Sequence, residues 1–222
     1  MAAPPLIVIV TGPTCSGKTT LALALAEHFG LPLFHKDGFK EAMFDIALPN
    51  LGEIDKSLSQ QLGRFSIACL EVALTQCAKS GTDAVFEANF DSRLFSPRLS
   101  EIRQHYPIRI VQAHLRSVGL GQTDTEREAA ILSRFAVREQ TDRHPGHGAW
   151  RRELGNGELG LPRGFGRELL RLHSEDKPLA LEQGDELIEI DTTDFAAVDF
   201  GPLFQVVKDS LSSRIISEQR NI

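Results

Sequence analysis

One short run carries the sharpest chemistry in the chain. Gly12-Pro13-Thr14-Cys15-Ser16-Gly17-Lys18-Thr19 fits G-x-x-x-x-G-K-[ST] without departure. Glycines let backbone N–H groups turn inward around phosphate oxygens, and a helix starting at the end of the loop adds its positive dipole end. Lys18 then offers a point charge to the β/γ oxygens, and the Thr19 hydroxyl can ligate Mg²⁺. A buried strand before the loop and a helix directly after it are the context this pattern requires, and both are legible here. Gly12, Pro13, Thr14, Cys15, Ser16, Gly17, Lys18, Thr19 and the adjoining Thr20 are therefore read as the segment that binds a nucleoside triphosphate. Cys15 is accounted for as a small residue that fits the turn.

Two acids stand where an open parallel sheet collects its ligands, beyond the carboxyl ends of strands. Asp37, in His35-Lys36-Asp37-Gly38-Phe39-Lys40, can take or orient the proton of an attacking hydroxyl during in-line phosphoryl transfer. It can equally be a helix N-cap, because Phe39, Met43, Phe44 and Ile46 follow in a helical pattern; one residue can do both. Glu87 ends the next apolar run and is the candidate to hold Mg²⁺, directly or through water. Asn89 and Arg93 read either as acceptor contacts or as turn residues. Lys36 and Lys40 read as exposed lysines.

A third group is basic. Arg127, Arg134 and Arg138 are spaced by seven and four, which puts them on one helical face. Five arginines and two acids lie between Arg134 and Arg152. In an acidic chain this suits a lid that closes on phosphates, with Arg134 and Arg138 ahead of Arg127, since planar guanidinium groups match the oxygens of a transferring phosphoryl group. The alternative is a solvated face with pairs such as Glu139–Arg143. His144-x-x-His147 lacks a third ligand nearby, so zinc is not expected. The five glycines of residues 155–166 follow no strand and read as a mobile insertion, with Trp150 beside it.

The elements that must position these groups alternate. Leu6–Val10 is continuously apolar and β-branched, as a strand buried on both faces should be. Leu31–His35, Ala84–Phe86, Ile108–Ala113 and Glu186–Ile190 are the other expected strands. Helices are expected over Thr19–Phe29, closed by Gly30, and over Ser57–Lys79, Thr125–Gln140 and Phe204–Leu211. Strands alternating with helices predict an α/β fold with a parallel sheet. No repeat or linker divides the 222 residues, so a single domain is expected over 1–222, with the lid and insertion at about 120–170.

Composition narrows the setting. With 24 Lys+Arg against 30 Asp+Glu, the net charge of −6 disfavours broad binding to nucleic acid or anionic membrane. A local basic cleft remains compatible with that charge. No apolar run is long enough for a membrane span, and the N-terminus has no basic flank of a signal peptide. Three scattered cysteines, Cys15, Cys69 and Cys77, form no CxxC pair and fit a reduced, cytoplasmic protein. The helix over Ser57–Lys79 or the C-terminal helix can serve a dimer contact, though both pack more simply on the sheet; monomer and homodimer both stay open.

GPTCSGKT, the acid in HKDGFKEAMFD, FEANF and RFAVREQTDRHPGH together resemble AAA-type P-loop kinases of the group that holds zeta-toxin-like kinases, chloramphenicol phosphotransferase and the kinase domain of polynucleotide kinase. The likeness spans roughly residues 6–195. It implies a P-loop NTPase fold with a five-stranded parallel sheet in order 2-3-1-4-5, an ATP donor with Mg²⁺, and transfer of the γ-phosphoryl group to a hydroxyl. It also implies Asp37 as the catalytic acid, Lys18 and Thr19 at the phosphate and metal positions, and Arg134 or Arg138 as lid arginines. A small-molecule hydroxyl acceptor is expected. A polynucleotide 5′-hydroxyl acceptor is the alternative within the same chemistry, disfavoured by the acidic charge and the single Tyr and Trp. A nucleotide-hydrolysing regulatory switch is the alternative outside it.

Overall fold

The computed structural model describes residues 3–51, 56–117, 119–140, 144 and 164–219. Five parallel strands form one sheet: β1 (Leu6–Thr11), β2 (Leu33–His35), β3 (Ala84–Glu87), β4 (Arg109–Arg116) and β5 (Glu186–Asp191), in the order β2-β3-β1-β4-β5. That is the order the resemblance implied. Seven helices are seen among the described residues: α1 (Lys18–Phe29), α2 (Lys36–Leu51), α3 (Lys56–Ser80), α4 (Ser92–His105), α5 (Asp124–Gln140), α6 (Phe165–Glu175) and α7 (Gly201–Gln219). None is long and apolar enough to cross a membrane.

β1 is central because its side chains from Leu6 to Val10 are all apolar. Every residue from Leu6 to Thr11 is buried, and the strand pairs with β3 on one side and β4 on the other. Leu6, Val8 and Val10 face a core shared with Val85, Val111 and Ala113, with Leu21 and Leu25 of α1, and with Leu203 and Val207 of α7. Each such leucine or valine contributes about 1.5–3 kcal/mol by leaving water. Side-chain alternation sends Ile7, Ile9 and Thr11 of β1, and Ile110, Gln112 and His114 of β4, to the opposite face. α1 ends where Gly30 turns left-handed (φ +65°), so that Leu31 N–H reaches the Ala26 carbonyl at 3.0 Å.

The chain divides into two compact units. The first comprises Met1–His35, Leu70–Val118 and Asp176–Ile222 and holds the whole sheet. Within it Asp185 joins three segments: its carboxylate accepts from Ile110 N–H at 2.9 Å, from Glu182 N–H at 2.9 Å and from the Arg103 guanidinium at 2.5 Å. The second comprises Lys36–Cys69 and Gly119–Glu175. There α5 packs on α6, with buried Phe135 edge-on to Phe165 at 5.1 Å between ring centroids.

Two helices were absent from the sequence expectations. α4 carries Pro97 in its interior, which reads as a breaker, yet Phe95, Leu99 and Ile102 fall on one buried stripe and Asp91 caps the start by accepting from Arg93 N–H. α6 grows from the end of the stretch read as a loop. β4 also continues to Arg116, past the expected Ala113, and this extension brings His114 onto the sheet.

Candidate active site

The phosphate loop joins the buried end of β1 to the start of α1, and its backbone is why the glycines are there. Gly12 sits at φ +142°, and a Cβ on it would lie 2.5 Å from the Leu115 carbonyl oxygen at the end of β4. Gly17 sits at φ +88°, and its absent Cβ leaves room for the Phe195 ring. Cys15 takes a left-handed φ of +62° without being glycine, a strain of about 1–2 kcal/mol that the closed loop must hold. Ser16 is fully buried inside the turn.

Lys18 and Thr19 form the first turn of α1. Lys18 Nζ donates to the Pro13 carbonyl at 2.6 Å, which folds the side chain back over the loop. Thr19 Oγ1 donates to Glu87 Oε2 at 3.3 Å. Glu87 is the last residue of β3, buried, and registers with Val10 of β1, so its side chain faces α1. The structure thus brings Thr19 and Glu87, both named from the sequence, within hydrogen-bonding distance of each other. A hydroxyl and a carboxylate are the hard oxygen donors that Mg²⁺ takes, with phosphate oxygens and waters completing its octahedron. No group of three or more His, Cys, Asp or Glu able to hold a metal alone occurs among the described residues.

In the second unit Asp37 lies one step inside α2, which begins at Lys36, so it is a first-turn acid and not the N-cap. Its Oδ2 accepts from Arg138 Nη2 at 2.9 Å, and both side chains are about two-thirds buried. The sequence reading had named both residues but had not paired them. Arg127 shares the helical stripe of Arg134 and Arg138, but its guanidinium donates to the carbonyls of Gly121 and Gln122 and lies 3.5 Å from Asp124, tying down the entry to α5. Arg134 is half-buried on the same helix. Lys40 Nζ donates to Ser59 Oγ at 2.9 Å, and His144 Nε2 lies 3.0 Å from Asp45 Oδ1 and edge-on to Phe44. Arg93 pairs with Asp91 at 2.8 Å in the cap of α4. Arg143, His147, Trp150 and residues 155–163 lie outside the described residues, as does the side chain of Glu139.

A polar group that sequence reasoning missed lies under the loop, on the sheet face opposite α1. His114 registers with Thr11, the residue before Gly12, and its Nε2 is 3.5 Å from Asp176 Oδ2. The His114 side chain is 2% exposed and that of Asp176 13%. Thr11 Oγ1, both amide atoms of Gln112, His114 Nδ1 and Asp176 Oδ2 are buried without hydrogen-bond partners. Burial holds His114 below the usual histidine range and pushes Asp176 up to about 6, against the pull of the Lys18 ammonium. The only sequence signal was a pair of polar residues, Gln112 and His114, inside an apolar strand.

A protein-family profile described as an AAA domain matches residues 7–94, the stretch from β1 through the start of α4. The chain is similar to a crystal structure of a "putative kinase" from Chloroflexus aurantiacus j-10-fl, with 29% identity, a TM-score of 0.68, and coverage of 93% of this chain and 98% of that one. It is also similar to tRNA dimethylallyltransferases of two Synechococcus strains. CC9902 shows 54% identity over 37 residues and CC9311 61% over 33. The chain spans only 12% and 11% of the lengths of those two enzymes. Phosphate loop, strand order and these similarities together give the chain a P-loop kinase-like fold.

Proposed function

We propose that the protein transfers the γ-phosphoryl group of Mg·ATP to a hydroxyl of a small molecule. The observation that carries this reading is the Thr19–Glu87 hydrogen bond at 3.3 Å beside Lys18, a hydroxyl, a buried carboxylate and an ammonium gathered at one loop. The phosphate loop and Lys18 hold the triphosphate. Thr19 and Glu87 would hold Mg²⁺, which would supply charge neutralisation for the phosphate oxygens. Asp37 orients the acceptor hydroxyl and takes its proton as the new O–P bond forms and the bond to the leaving ADP breaks. Arg134 and Arg138 answer the charge on the phosphoryl oxygens.

The kinase description of the Chloroflexus protein supports the reading, since the similarity covers nearly the full length of both chains. A small acceptor fits the net charge of −6 better than a polynucleotide does. Three free thiols fit a cytoplasmic setting, and the protein acts as a monomer or homodimer. Incubation with Mg²⁺ and γ-labelled ATP, against a metabolite extract and against 5′-hydroxyl oligonucleotides, tests it. Label should enter a small molecule and be lost in Lys18→Ala and Asp37→Asn. Label on oligonucleotides would reassign the acceptor. Release of phosphate alone, unchanged by Asp37→Asn, would support a nucleotide-hydrolysing switch instead.

A further inference from the structure

Under the phosphate loop, three observations converge on Asp176. Its Oδ2 is buried without a hydrogen-bond partner, 3.5 Å from His114 Nε2 and just too far for a bond. His114 stands beside Thr11, where β1 gives way to the loop, and the neighbouring Leu115 carbonyl is what Gly12 packs against. Lys18, the loop's cation, is within electrostatic reach of both members of the pair. Among the described residues, Arg116 of β4 and Glu189 of β5 also act electrostatically on His114.

We propose that Asp176, backed by His114, is a positioning residue of the phosphate loop: an internal anion that balances Lys18 in the nucleotide-free protein and takes up a proton when a triphosphate binds. The proposal rests on the loop's nucleotide binding and adds a proton to it. A buried carboxylate near Lys18 would repel incoming phosphates, and its own favourable partner would be claimed by them. Both changes disfavour its ionised form, and the missing charge is made good by one proton from solvent, COO⁻ becoming COOH. The neutral acid can then donate its new O–H to the imidazole of His114, giving Oδ2 the partner it lacks.

The test is calorimetry of a non-hydrolysable ATP analogue with Mg²⁺ at about pH 7, in buffers of low and high ionisation enthalpy. Because the carboxyl of the free protein titrates at about 6, it is mostly ionised there. Binding should then take up about half a proton or more per nucleotide beyond that taken up by Asp176→Asn. Asp176→Glu should restore the excess. Equal uptake by the unmutated protein and Asp176→Asn would overturn the proposal while leaving nucleotide binding intact. Absence of binding, with Lys18→Ala indistinguishable from the unmutated protein, would instead overturn the underlying reading. Should Asp176→Asn fail to fold, the infrared difference spectrum of the unmutated protein decides: a protonated-carboxyl band must appear on binding, and its absence refutes the proposal.

Discussion

Glu87→Gln separates the charge of the β3 acid from its shape. Gln is nearly isosteric and still offers an oxygen to the Thr19 hydroxyl, and the bond concerned is long at 3.3 Å, so its loss would cost at most about 1 kcal/mol. Removing a carboxylate that is only 4% exposed also relieves desolvation. Thermal stability without Mg²⁺ should therefore stay within about 1 kcal/mol of the unmutated protein, or rise. Binding of Mg·nucleotide should behave oppositely. Groups that stand behind a metal ligand, the place proposed for Glu87 behind Thr19, typically contribute 10–100-fold in metal affinity, about 1.4–2.7 kcal/mol. The assay is the Mg²⁺ dependence of ATP turnover: half-saturation should move to about 10–100-fold higher Mg²⁺, with much of the rate recovered when Mg²⁺ is in excess. An unchanged half-saturation in a folded variant would refute the reasoning and leave Glu87 as a hydrogen-bond acceptor only.

Gly12→Ala places a methyl 2.5 Å from the Leu115 carbonyl at φ +142°, a strain of about 1–3 kcal/mol that only backbone movement relieves. Nucleotide affinity by titration calorimetry should drop at least about tenfold, and wild-type affinity would contradict the loop geometry. Asp37→Asn breaks a partly exposed ion pair and should change stability by no more than about 1 kcal/mol. Phosphoryl transfer should nevertheless fall about 10²–10⁴-fold in kcat; a fall confined to KM would place Asp37 in binding alone. Asp176 is raised from 3.8 to about 6 by burial, so the folded protein holds this proton more tightly than the unfolded chain. The resulting stabilisation is complete below about pH 4 and lost as pH rises through 6. Asp176→Asn should therefore melt higher than the unmutated protein at pH 7, by about 1–2 kcal/mol after allowing for solvent screening, and the gap should close by about pH 4. A gap independent of pH would refute the assignment of the titration to this carboxyl.

Local patterns carried the phosphate loop, β1, α1 and the alternation of strands and helices, because each is encoded by near neighbours. Glycines stand where φ must be positive, an apolar run has no face for water, and Leu21 and Leu25 lie on one helical stripe. Glu87 was legible for the same reason, as an acid closing an apolar strand. α4 was hidden because Pro97 and a charged exposed face mask a buried stripe that becomes visible only once Phe95, Leu99 and Ile102 are packed. Pairings across long chain separations had no local trace. Asp37 meets Arg138, and His114 meets Asp176, only because helix packing and sheet register bring distant segments together. Arg127 shows the converse: helical spacing set it beside Arg134 and Arg138, but the carbonyls of Gly121 and Gln122 are nearer and claim its guanidinium. Residue type and spacing thus determined the loop between β1 and α1 and the alternation of elements around it. Tertiary structure decided which charges face one another, since burial and distance set the strength of an electrostatic contact and neither is a property of sequence order.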